Sequence, residues 1–82
     1  MTLSFQDIAE SIIAIAQDED ITTSVCNGNP CVHRDDGMSM GVVAAGDYDI
    51  SFYFKDSDGK LNIRRATDPD KALAIGLDFI YC

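Results

Sequence analysis

Residues 47–55, DYDISFYFK, alternate strictly: Tyr48, Ile50, Phe52 and Phe54 fall on one side, and Asp47, Asp49, Ser51, Tyr53 and Lys55 on the other. Successive side chains of a strand point to opposite faces, so the segment must cover an apolar core with one face and meet water with the other. A helical reading fails, because β-branched and aromatic residues at period two do not gather into a helical stripe. The chain is therefore built around a sheet that is buried on one side.

The neighbours of this strand extend the sheet. Asp56, Ser57, Asp58 and Gly59 supply a turn, and residues 60–66 follow as a second strand, giving an antiparallel hairpin in which Leu61 and Ile63 are expected to continue the apolar surface beside Phe52 and Phe54. Upstream, Met38, Met40, Val42 and Ala44 share one side of a candidate strand, loosened by Gly41 and Gly46. Before that, the pattern weakens into a short strand, ITTSVC, the turn-rich NGNP, and CVHR, with a further break at Asp35, Asp36 and Gly37.

Helix signals bracket the strands. Ser4 is placed to cap a helix beginning at Phe5, Asp7 completes a capping box, and Leu3 with Ile8 occupies the staple positions. Phe5, Ile8, Ala9, Ile12, Ile13, Ile15 and Ala16 lie within one arc, opposite Gln6, Asp7, Glu10, Ser11, Gln17 and Asp18. Asp18, Glu19 and Asp20 sit at the negative end of the helix dipole, which marks the helix end or a place where stability yields to surface charge. Near the other end, Thr67 or Asp68 is a cap and Pro69 suits a first turn. Residues 72–77 favour helix and are apolar nearly all round, with Gly76 weakening the pattern. Three readings stay open there: a well-buried helix, a change to a strand from Asp78 to Cys82, or a flank docked on another protein or copy.

These elements predict an α+β fold: one two-layer domain over residues 1–82, with an N-terminal helix, a three- or four-stranded antiparallel meander and a C-terminal helix, both helices covering the aromatic face. Eighty-two residues exclude a (β/α)8 barrel or a full dinucleotide fold. The N-terminal stretch has no basic region before its apolar residues and carries Asp7, Glu10 and Ser11 among them, so neither a signal peptide nor a membrane span is expected, and the cysteines are expected to be reduced thiols in the cytoplasm.

The cysteines and acids supply the candidate sites. Cys26, Cys31 and His33, with Cys82 as a fourth ligand, have a zinc flavour, but there is one cysteine pair, a histidine close behind it and no second well-spaced pair. A Cys26 to Cys31 disulfide would need an oxidising compartment. A cysteine nucleophile would need His33 as its base, and no glycine-rich oxyanion loop follows. Asp47 and Asp49 lack the apolar setting that would raise one carboxyl, and the Asp56 to Gly59 run holds only a fragment of a calcium loop. No enzyme, cofactor or metal is therefore expected.

Charge placement carries more. Fourteen acids face six bases, for a formal charge of −8, which disfavours any direct grip on a nucleic-acid backbone. No Lys or Arg occurs before Arg34, so the N-terminal helix and the corner after it carry charge of one sign, whereas Arg64 is expected to offset Asp47 or Asp49 on the hairpin. The expected function is a small acidic protein-binding module. Its partner would be a larger basic protein or nucleoprotein complex, inhibited by carboxylates standing in for phosphates, as phage- or plasmid-encoded inhibitors do. Glu10, Asp18, Glu19 and Asp20 are the first candidate contacts, Asp35 and Asp36 the next, with Tyr53 and Tyr81 as apolar anchors. The alternatives are a structural subunit or homodimer formed through the apolar C-terminal segment, and a small zinc domain.

Overall fold

Helix α1 spans Phe5–Asp18 and starts where the sequence places its cap. The Asp7 amide donates to Ser4 Oγ at 3.1 Å and the Ser4 amide donates to Asp7 Oδ2 at 3.3 Å, closing the capping box. The computed structural model describes residues 4–45 and 49–81; Leu3, Gly46, Asp47, Tyr48 and Cys82, each given a role above, lie outside the described residues. At its other end α1 closes with a left-handed residue. Asp20 has φ 59°, its amide donates to Gln17 O at 3.1 Å, and the Ile21 amide donates to Ala16 O at 2.9 Å. This Schellman arrangement usually places glycine where Asp20 stands.

Among the described residues five strands follow: β1 Thr22–Cys26, β2 Asn29–His33, β3 Ser39–Ala45, β4 Asp49–Lys55 and β5 Leu61–Ala66. They form one antiparallel sheet in the order β1-β2-β3-β4-β5, so the α+β meander flanked by two helices stands as expected, with one strand more because both weak segments around Asn27 and Gly28 pair. Asn27 (φ 54°) and Gly28 (φ 80°) are both left-handed, the geometry of a two-residue hairpin whose twist matches its strands. The β2–β3 and β4–β5 connections are three-residue loops, closed by Arg34 with Met38 and by Asp56 with Lys60, each ending on a left-handed glycine, Gly37 (φ 88°) and Gly59 (φ 85°). Asp56 Oδ1 accepts from the Asp58 and Lys60 amides at 3.0 and 2.8 Å, so the Asp56 to Gly59 run serves as a hairpin turn.

One sheet face is covered. Val32, Met40, Val42, Ile50 and Phe52 are fully buried there, α1 packs over β1, β2 and β3, and α2 packs against α1 and β5. Each such side chain contributes about 1.5–3 kcal/mol by leaving water. The aromatic row extends from Phe52 to Phe54 and on to Phe79 of the second helix, with ring centroids 6.2 and 5.7 Å apart.

The hairpin departs from expectation in its phase. Leu61 stands opposite Lys55 and Ile63 opposite Tyr53, so both lie on the uncovered face, 57% and 54% exposed. Asn62 and Arg64 stand beside Phe54 and Phe52 instead. The cause is loop length: the three-residue loop fixes Lys55 against Leu61, and a shift of one residue would exchange the faces. The same phase moves the expected ion pair, since Asp49 is bridged by Arg65 and not by Arg64.

Helix α2 spans Pro69–Tyr81. The Asp70 amide donates to Asp68 Oδ1 at 2.9 Å, which makes Asp68 the capping side chain, with Pro69 harmless in the first turn. The helix continues unbroken through Gly76 to Tyr81, in favour of the buried-helix reading. Gly76 is there for packing: a Cβ on it would come within 2.5 Å of Ile12 Cδ1 on α1. Among the described residues, no helix is long and apolar enough to cross a membrane.

Candidate functional site

Two acidic segments far apart in sequence meet at one corner. The Schellman turn at the end of α1 projects Glu19 and Asp20, and the β2–β3 loop projects Asp35 and Asp36; with Ile21 and Arg34 these line a depression of about 310 Å³. All four carboxylates are exposed, as is Asp18 one residue upstream. Among the described residues lining the depression, Arg34 is the only Lys or Arg, and it is committed. Its guanidinium pairs with Asp36, donates to Phe79 O at 3.2 Å and lies 5.0 Å from the centre of the Phe79 ring. Asp36 in turn accepts from the Met38 amide through Oδ1 at 3.1 Å. Arg34 thus ties the loop to α2, while Asp18, Glu19, Asp20 and Asp35 face solvent with no ion pair among the described residues.

The remaining expected contacts are dispersed. Glu10 is exposed on α1, two turns before the corner. Tyr53 is on the uncovered sheet face, the side away from both helices, and cannot share one flat surface with α1. Tyr81 is 60% exposed in the last turn of α2, the turn whose Phe79 carbonyl receives Arg34. The rest of the apolar C-terminal segment places Ala72, Gly76, Phe79 and Ile80 in the core.

On the uncovered face, the β1–β2 hairpin gathers the cysteines and the histidine. Ser24 stands opposite Cys31 and Thr22 opposite His33, so Ser24, Cys26, Cys31 and His33 share that face. Ser24 Oγ lies 2.6 Å from His33 Nε2 and 3.9 Å from Cys26 Sγ. The sequence alone did not single out Ser24, although a two-residue turn at Asn27 and Gly28 implies its pairing with Cys31. Cys26 and Cys31 are free thiols. Partial burial, then the neighbouring Cys26, pushes the Cys31 thiol above its usual range, the direction opposite to an activated nucleophile. A hydroxyl hydrogen-bonded to an imidazole is one element of acyl-transfer chemistry, but no third group orients His33 among the described hydrogen bonds. No group of three or more His, Cys, Asp or Glu among the described residues is arranged to hold a metal ion.

No protein-family model, curated protein or solved structure matches this chain.

Proposed function

We propose that this protein is a small acidic protein-binding module whose carboxylate corner docks on a larger basic protein, in competition with that partner's nucleic acid. The observation that carries the reading is the convergence of Glu19 and Asp20 with Asp35 and Asp36 around a single depression, holding one already paired cation. The placement also runs against local stability. Asp18, Glu19 and Asp20 crowd the negative end of the α1 dipole, and Asp20 occupies a left-handed position where glycine is favoured. A chain kept only soluble could carry those acids at the other end of the helix at no such cost. Charge of this kind steers association and selects partners, and the exposed Tyr81, in the helix turn whose Phe79 carbonyl receives Arg34, is its apolar anchor.

The test is capture of partners from the native host, identified by mass spectrometry, with wild type and a variant carrying Lys at Asp18, Glu19 and Asp20. A defined basic partner should be retained by the wild type, released by nucleic acid and by salt, and captured at least tenfold less by the variant, about 1.4 kcal/mol of binding energy. Equal capture by both proteins refutes the assignment.

A further inference from the structure

The sheet face turned away from both helices is uncovered along all five strands, and Tyr53, Leu61 and Ile63 stand on it 37%, 57% and 54% exposed. Its charge differs from that of the whole chain, which carries −8. Among the described strand residues pointing outward, Asp49 is the only acid, and Arg65 bridges it; Lys55 is the only Lys or Arg there without an ion pair.

The relief of this face is lopsided about its central strand. One row, Ser24, Cys31, Gly41, Tyr53 and Ile63, crosses the sheet in register. Gly41 on β3 leaves a dip at its middle, where a Cβ would sit 3.7 Å from both Cys31 Sγ and Tyr53 Cβ. Toward β5 the row rises on Tyr53 and Ile63; toward β1 it falls to Cys31 and Ser24, whose hydroxyl lies 2.6 Å from the His33 ring.

We propose that this face is the interface of a homodimer, two sheets packed face to face about a two-fold axis running along β3. Such an axis carries β4 and β5 of one copy over β2 and β1 of the other. Tyr53 then lies over Cys31 and Ile63 over Ser24, tall against low in both directions, with Lys55 over His33 and Leu61 over Thr22 in the next row. Charge selects the same occupant: two copies at −8 repel, and this face lets them meet without opposing unpaired acids. The two Lys55 side chains fall on either side of the axis, two strand spacings or about 10 Å apart, with about 10 Å more between the sheets. Five strands of about six residues give a face of about 24 by 20 Å, so about 1,000 Å² is covered across the pair. That is the lower limit of a specific interface and sets a weak, reversible dimer, half formed at about 10–100 µM. The face is separate from the carboxylate corner, and neither assignment depends on the other.

Sedimentation equilibrium of the full chain should show a monomer at about 5 µM and a dimer at about 500 µM. Val43, on β3 and half-buried, points from the same face and falls on the axis against its own copy. Val43→Glu and Val43→Lys should each abolish the dimer by like charge, and mixing the two variants should restore it as a heterodimer, an outcome that a merely structural defect would not produce. Tyr53→Ala and Ile63→Ser, both at exposed positions, should keep the thermal midpoint at about 5 µM and weaken the dimer about tenfold, which carries the test if a Val43 variant fails to fold. The proposal is overturned by a monomer mass at about 500 µM, by a dimer that persists in folded Val43→Glu or in both Tyr53→Ala and Ile63→Ser, or by folded Glu and Lys variants that do not pair.

Discussion

Gly76 gives the fold its sharpest test. Added to its backbone, a Cβ would lie 2.5 Å from Ile12 Cδ1, 2.8 Å from Cγ1 and 3.2 Å from Cγ2. Carbon atoms in contact sit at about 3.5–4.0 Å, so the helices must separate or Ile12 must leave its rotamer. The Cδ1 atom can swing away, but Cγ1 and Cγ2 are fixed close to the α1 backbone. Overpacking of this kind costs about 2 kcal/mol, within a usual span of roughly 1–3. Replacing a helical glycine with alanine returns about 1 kcal/mol of propensity. Gly76→Ala should therefore destabilise by about 1 kcal/mol, lowering the thermal midpoint of a domain this size by about 4–8 °C. Ile12→Ala removes Cδ1, Cγ1 and Cγ2 together and alone should cost about 2–5 kcal/mol. Combined, the two changes should cost about 1 kcal/mol less than their sum, because the shortened side chain makes room for the new methyl. Urea unfolding followed by circular dichroism, with an unchanged slope, measures each corner of the cycle. Stabilisation by Gly76→Ala, or additivity of the two changes, would refute the close approach of α1 and α2.

Asp20→Gly relieves a left-handed aspartate and removes a charge at the wrong helix end, so it should stabilise by about 0.5–1 kcal/mol in thermal unfolding while weakening partner capture at the carboxylate corner. Ile63→Lys should change stability by no more than about 0.5 kcal/mol, since Ile63 faces solvent, and a loss above about 2 kcal/mol would place it in the core. Peptide mapping after brief iodoacetamide treatment at neutral pH should find Cys26 modified before Cys31, whose thiol is partly buried and holds its proton more tightly. Because the folded state raises that pKa above the ordinary 9.0, the Cys31 contribution to stability is complete below that pH and diminishes as pH rises through it, which alkaline denaturant titrations of wild type and Cys31→Ser compare.

The helices and the central strand were legible because each carries redundant local signals. Ser4 and Asp7 cap α1 over an apolar arc, Asp68 and Pro69 open α2, and Ile50, Phe52 and Phe54 keep strict alternation. The phase of β5 was misread for a physical reason: Leu61 and Ile63 are the strand's two large apolar residues, and apolarity alone assigns them inward. Loop closure at Asp56 and Lys60 decides otherwise, and that geometry is written in Gly59 and the Asp56 carboxylate, not in hydrophobicity. At the candidate site, the acids of both segments were legible as charge. Their meeting was not, since it depends on how the end of α1 is carried past the β2–β3 loop by sheet twist and helix packing. Gly76 shows the same limit: a residue that weakens a helical pattern locally is required by the helix packed across it.

The meander has a consequence for how the chain is made. Every strand pairs with its immediate predecessor through a short loop, so the sheet can assemble in order as residues leave the ribosome, each closure costing little chain entropy. Helix α2 is synthesised after all five strands. Until it arrives, Phe54 lacks Phe79 and Ile12 lacks the flat back of Gly76, leaving both open to water. That interval, more than the finished fold, is when this small protein is most open to chaperones and to aggregation.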